Sequence, residues 1–232
     1  MMTLDVATKE RTTFGDGDYL IPYNGVWDIV NIAIDQRWIT IPHDCVNVYI
    51  YSTMCNCSII DLATRQEYLV AGGNYTQLVR FAPITNAVVY VQENDLYYLE
   101  KPDSPNPIRL TTTGKPGIVF NGVCDFAYED NIYMKMRAFY FSTDGTKLVY
   151  LSLNDADLKV VHYSEYGLPG DPTVYQYVKD KTIRYPKVGT PIPKASVHVI
   201  CLKTKKEIII DGLKAPAELQ SDRKVPPAII DT

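Results

Sequence analysis

Adjacent acids set between aromatic residues run through Asp125-Phe-Ala-Tyr-Glu129-Asp130-Asn131-Ile-Tyr133. Carboxylates brought so close repel one another and lose solvation unless a cation or hydrogen-bond donors sit among them. The pattern suits capture of a positively charged amine, and a solvated acidic turn is the plainer reading of the same residues. Other chemistry-bearing residues are dispersed. His43, His162 and His198 are scattered, and His198 lies inside a strand-like run where it reads as structural. No Ser/His/Asp or Cys/His set can be assembled from spacing. Gly-x-Ser-x-Gly, His-Glu-x-x-His and Cys-x-x-Cys do not occur. Gly114-Lys115-Pro116 lacks the upstream glycine and the following Ser/Thr of a phosphate loop, so it reads as a turn. Cys55 and Cys57 would share one face of a strand and read as packed or oxidised thiols, not a metal pair. No metal or cofactor is expected. With Cys45, Cys124 and Cys201 the cysteine count is odd and irregularly spaced, which speaks against a complete disulfide framework. Asn56-Cys57-Ser58 and Asn74-Tyr75-Thr76 are sequons, relevant if the chain enters the secretory route.

The elements that must position these residues are β-strands. Val46 to Tyr51, Leu78 to Phe81, Ala87 to Val91, Leu96 to Leu99, Leu148 to Leu151 and Val197 to Leu202 are short runs rich in β-branched and aromatic residues, bounded by turn residues. No long stretch carries apolar residues at helical spacing, so helices should be scarce. The 232 residues are 46% hydrophobic and 22% charged, enough for a sizeable core and too apolar for a disordered chain. The 23 Lys and Arg against 27 Asp and Glu leave no basic field, which argues against nucleic acid as the main partner. No run approaches the length of a membrane helix, and the polar start has neither a signal peptide nor an anchor. Taken alone the chain reads as cytosolic or as a fragment.

A weak repeat orders the strands. Phe81-Ala-Pro-Ile-Thr-Asn-Ala-Val-Val-Tyr90 lines up with Phe141-Ser-Thr-Asp-Gly-Thr-Lys-Leu-Val-Tyr150, and Ile32 to Ile41 is a third copy. Phe81 follows Ile32 by 49 residues, and Phe141 follows Phe81 by 60. Periods near 50 suit one four-stranded propeller blade per repeat, although β proteins reuse such turn-and-strand grammar in other folds. Lys101 to Pro107 reads as a connector, Asn154 to Tyr185 as a long irregular Tyr-rich segment that carries function or contacts another domain, and residues 215–232 as a frayed polar tail.

Three blocks in order carry a family resemblance: Asn121-Gly-Val-Cys-Asp-Phe-Ala-Tyr-Glu-Asp-Asn131, Phe139-Tyr-Phe-Ser-Thr-Asp-Gly-Thr-Lys-Leu-Val-Tyr150, and Arg184-Tyr-Pro-Lys-Val-Gly-Thr-Pro-Ile-Pro193. Together they resemble the N-terminal propeller portion of the dipeptidyl peptidase IV family of serine peptidases, most firmly over residues 58–202. The resemblance implies an all-β fold, an incomplete β-propeller of about four blades over residues 1–214. In the family the propeller joins an α/β-hydrolase domain that releases N-terminal dipeptides with Pro or Ala second, at the plasma membrane or outside the cell. By the resemblance, Glu129, Asp130 and Asn131 occupy the acidic substrate-binding motif, whose last two positions grip the α-amine. Asp130 keeps a charge on a shorter arm, Asn131 is neutral, and Ile50 falls near the place of an arginine that holds substrate carbonyls. Asn56 and Asn74 stand as the glycan acceptors. No catalytic serine elbow is present, so the chain is expected to be inactive alone. Its ligands would be peptide N-termini, and open sheet edges would take a second copy or a partner protein.

Overall fold

The computed structural model describes residues 2–4, 8–13, 31–167 and 177–210. Its elements are antiparallel strands. A hairpin pairs β1 (Met2–Leu4) with β2 (Arg11–Thr13). The first large sheet holds β3 (Trp38–Asn47), β4 (Thr53–Asp61), β5 (Glu67–Leu69) and β6 (Tyr75–Thr76), with β4 in the middle. The second runs from β7 (Leu78–Phe81) through β8 (Val88–Gln92) and β9 (Asp95–Leu99) to β10 (Ile108–Arg109). The third begins with β11 (Val119–Asn121) and β12 (Phe139–Phe141), both paired to the same edge of β13 (Lys147–Asn154). A separate hairpin of β14 (Val160–Glu165) and β15 (Lys179–Arg184) follows, then β16 (Lys194–Cys201) and β17 (Glu207–Ile209) complete the sheet.

These are blades of an incomplete propeller. Core formation explains the stacking. In β8, Val88 and Tyr90 join a core with Trp38 and Ile59 of the first sheet and Val70 of the turn after β5, while Val89 and Val91 join a core with Phe120, Phe139 and Leu148 of the third. Alternate residues of one strand therefore feed two cores, so the middle sheet is apolar on both faces. The repeat is visible in hydrogen bonds. Ala33 N–H donates to Trp38 O, Ala82 N–H to Ala87 O, and Ser142 N–H to Lys147 O, at 2.9, 2.7 and 2.9 Å. Each of these turns leads into the second strand of its blade, and the Ile32↔Ile39 bridge marks the inner strand of the first. Three of the expected blades lie within the described residues.

Two readings change. Val46 to Tyr51 is not one strand: β3 stops at Asn47, because Val48 and Tyr49 donate their N–H groups to Ser52 O and turn the chain. The segment from Asn154 to Tyr185 is less irregular than its composition suggests. Val160 to Glu165 pairs residue for residue with Lys179 to Arg184, so an exposed hairpin rises from the third blade. The tail at 215–232 lies outside the described residues.

The second and third blades are locked together by a polar knot. The β8–β9 turn takes positive φ at Glu93 and Asn94 (51° and 64°), as a tight hairpin with right-handed twist requires. Asn94 then donates to Val119 O (2.9 Å), and fully buried Asp95 accepts from Arg109, Thr111, Asn121 and the Gly114 N–H. Gly114 is required: a Cβ there would lie 2.5 Å from Asn94 O. The Gly114-Lys115-Pro116 turn is therefore a packing device that delivers β11. Replacing Asp95 by Ala strands several buried donors and is expected to cost about 3 kcal/mol of stability, read by urea denaturation.

Candidate functional site

The acidic cluster sits on an excursion that interrupts the inner strand row of the third blade, between β11 and β12. The excursion leaves at Gly122, whose φ of 76° and 2.7 Å virtual Cβ contact with Leu96 exclude a side chain. It is closed by Cys124 N–H to Met136 O and Ala138 N–H to Gly122 O, both 2.9 Å. Inside it, Asp125 caps a single helical turn, α1 (Phe126–Tyr128), by accepting the Tyr128 N–H at Oδ1 (2.6 Å). A wider π-type turn over Glu129–Tyr133 follows and ends at left-handed Met134.

The structure separates the three motif residues. Glu129 is fully buried, and its Oε1 accepts the N–H of Tyr51 (2.8 Å), a residue 78 positions earlier at the tip of the β3–β4 loop. Asp130 is half-buried and Asn131 is exposed, its Nδ2 donating to Ala127 O (3.2 Å). The tip that meets Glu129 also carries Ile50, which is 73% exposed. Ile50 is thus the chain neighbour of the residue that meets the acidic turn. Tyr49 packs edge-on to Phe126 (5.3 Å), and Phe126 packs on Tyr185, which directly follows β15 (5.7 Å). The tip is further held by the Cys45–Cys55 disulfide across β3 and β4. Cys57, two residues on, remains a buried free thiol, its pKa pushed up to about 11 by burial.

Burial dominates the electrostatics. It raises the carboxyl of Glu129 above its ordinary value, opposed by the hydrogen bonds from Tyr51 and Ser52. It raises Asp125 as well, and it pushes Asp155, at the end of β13 and hydrogen-bonded to Asp125, up to about 9 with the help of Asp125's charge. Tyr49 is pushed up to about 12 by burial, with the neighbouring carboxylates adding to the effect. A cavity of about 230 Å³ opens beside this group, between Tyr49, Phe126, Pro116, Asp155 and Arg184.

Spacing did not reveal one hydrogen-bonded series. Ser196 Oγ lies 2.7 Å from His198 Nε2, whose Nδ1 lies 2.9 Å from Glu207 Oε1. Ser196 and His198 are neighbours on one face of β16, His198 stacks on Tyr150, and Glu207 also accepts the Tyr150 hydroxyl. This is a cross-strand polar ladder, consistent with a structural His198, and the cavity lies elsewhere. No group of three or more His, Cys, Asp or Glu residues suited to a metal ion occurs among the described residues. Of the sequons, Asn74 is exposed at a turn, whereas Asn56 lies mid-strand in β4 with its Oδ1 buried.

The comparisons with known proteins agree with this architecture. A family model described as the dipeptidyl peptidase IV (DPP IV) N-terminal region matches residues 34–227. The chain is 34% identical over 208 residues to venom dipeptidyl peptidase 4 of Apis mellifera, covering 89% of this chain and 26% of that protein. It is 30% identical over 203 residues to dipeptidyl peptidase 4 of Sus scrofa, covering 86% of this chain and 24% of that one. It therefore spans about a quarter of the length of these relatives. The crystal structure of Porphyromonas gingivalis dipeptidyl peptidase 4 superposes on 90% of this chain and 29% of its own, with a TM-score of 0.75 at 17% identity, a likeness of fold.

Two outcomes follow from the burial of Glu129 and the placement of the sequons. Glu129→Ala removes the acceptor for Tyr51 and is expected to cost about 1–3 kcal/mol in urea denaturation, while Glu129→Gln, which keeps an acceptor oxygen, costs less than half as much. Expressed through a secretory route, the chain is expected to carry a glycan at Asn74 and to lose the corresponding mass on Asn74→Gln. Asn56→Gln is expected to leave the mass of the glycosylated chain nearly unchanged.

Proposed function

Because the chain belongs to the dipeptidyl peptidase IV family, we propose that it is the non-catalytic propeller part of a dipeptidyl peptidase IV-like serine peptidase, which binds the N-terminal amine of peptide substrates and gates their approach. The observation that carries this reading is the half-buried Asp130, at the start of the Glu129–Tyr133 turn and next in sequence to Glu129, which holds the tip that bears Ile50. An ammonium group meeting Asp130 forms a charge-assisted hydrogen bond, and the neighbouring buried acids add negative potential. Glu129 contributes by holding the tip, because its Oε1 is already committed to Tyr51. Bond cleavage, with Pro or Ala in the second substrate position, would belong to a hydrolase domain elsewhere in the complete protein.

Two observations favour a second reading, a catalytically dead relative that serves as a protein-interaction module. Asn131 replaces one acid of the motif with a neutral amide, and Ile50 puts an aliphatic side chain where an arginine would hold carbonyls. Among the described residues, β17 ends its sheet with Ile208 and Ile209 exposed and the β14–β15 hairpin is largely exposed, and in either reading such edges would take a second copy or a partner protein. The Cys45–Cys55 disulfide supports an oxidising compartment, outside the cell or at its surface. No described helix is long and apolar enough to cross a membrane.

Calorimetry with the full chain separates the readings. A short Xaa-Pro peptide with a free amine is expected to bind, and its N-acetylated form to bind at least about tenfold more weakly. Asp130→Asn should reduce the affinity for the free amine by about tenfold, whereas Glu129→Gln should change it by less than threefold. Equal affinity for free and acetylated peptides would exclude amine capture and favour the interaction module.

A further inference from the structure

The buried acids beneath the acidic turn, Asp125 and Glu129 on the excursion and Asp155 after β13, differ in what satisfies them. Asp125 uses Oδ1 to cap α1, accepting the Tyr128 N–H at 2.6 Å. Its Oδ2 is buried and has no N–H or ordinary O–H donor, and the same holds for Oδ1 of Asp155. Asp125 is 0% exposed and Asp155 2% exposed, each keeps one buried oxygen that no donor meets, and the two carboxyl groups lie within reach of each other. Two ionised carboxylates are acceptors only and cannot satisfy one another, so a proton between them is what would pair these oxygens. Asp155 is the member able to hold it. Its backbone is pinned by its own N–H to Ile118 O (2.8 Å) and by Leu158 N–H to its carbonyl (2.9 Å), and its buried Oδ1 meets no donor. Asp125, by contrast, must remain a good acceptor to cap the helix.

We propose that Asp155 is a positioning residue for the acidic turn: as a neutral acid it donates its proton to Asp125 and holds in place the carboxylate that caps the helical turn leading to Asp130. The role in peptide capture rests on the amine-binding reading above, whereas the shared proton does not. The groups facing the pair are named on every side. Tyr49 comes from the β3–β4 tip, Cys124, Tyr128 and Glu129 from the excursion itself, and Arg184 from the end of β15, where its Nη1 donates to Leu158 O (2.7 Å). Arg184 alone of these favours ionisation of Asp155; burial and the Asp125 charge oppose it and prevail. A carboxyl raised in the folded state stabilises most below its unfolded value, near 4, and that contribution declines as pH rises toward about 9. Ionising both acids then sets two like charges against each other beneath the turn.

Carboxyl-carbon NMR of the full chain labelled with ¹³C-Asp, followed from pH 5 to 10.5, tests this. The wild type should show one Asp carboxyl titrating above pH 7. Asp155→Asn, whose amide donates to Asp125 without needing a proton, should abolish that titration and leave Asp125 ionised throughout. If every Asp carboxyl titrates below pH 6, or if the alkaline titration persists in Asp155→Asn, the proposal is overturned. The link to capture is read at pH 7 with the free-amine Xaa-Pro peptide. Asp155→Asn should bind within about threefold of wild type, and Asp155→Ala about tenfold more weakly. Loss of binding in Asp155→Asn equal to that in Asp155→Ala contradicts the positioning role. If the wild type binds no peptide, the amine-binding reading fails, and the NMR titration still decides the shared proton. Should Asp155→Ala fail to fold, the titration of Asp155→Asn decides alone.

Discussion

Three carboxyl groups buried together, two on the excursion and one at the end of β13, cannot all be ionised and unsolvated, and the site is organised by how each escapes that state. Glu129 takes an N–H from another blade, Asp125 takes one from its own helix, and Asp155 retains a proton. Asp130, the remaining acid of the turn, is only half-buried. Satisfying the fully buried acids is what fixes the turn that carries it. A turn with the same composition in solvent would have no such division and no fixed direction for Asp130.

That solution needs elements far apart in sequence. The β3–β4 tip must end its strand early enough for Tyr51 to present a free N–H, and the turn on Ser52 together with the Cys45–Cys55 link between β3 and β4 provides this. The third blade must lie at a set distance from the second, which the Asp95 knot and the close approach at Gly114 and Gly122 determine. The hairpin β14–β15 closes the group from the remaining side, through Arg184 and the ring of Tyr185. Two apolar cores, fed by opposite faces of β8, carry the stacking energy, while polar contacts set the angles.

Much of the architecture was legible in the residues. The spaced turn-and-strand copies beginning near Ile32, Phe81 and Phe141 proved to be one repeated hydrogen-bonded turn in three blades, because Asp-Gly-type turns and β-branched runs act locally. The acidic turn was also visible, as an unusual density of like charge between aromatic residues. What could not be read was which acids would be buried, since that depends on contacts such as Tyr51 to Glu129 across 78 residues. Asp155 carried no signal, because its significance arises only when β13 brings it under Asp125. The hairpin after Asn154 was obscured because both its faces are polar or exposed, which removes the alternation that identifies a half-buried strand. The Ser196–His198–Glu207 ladder depends on the pairing of β16 with β17, which no spacing rule encodes.

The central claim is spatial: the acidic turn is built so that Asp130 receives an ammonium ion while Glu129 and Asp125 serve the scaffold. The most direct measurement is a crystal structure of the chain soaked with a short Xaa-Pro peptide bearing a free N-terminus. The account predicts the peptide ammonium within about 3 Å of an Asp130 carboxylate oxygen, with the Tyr51–Glu129 hydrogen bond intact. An ammonium bound directly by Glu129 with the Tyr51 contact broken, or a peptide lying on the outer edge of a blade, would contradict it.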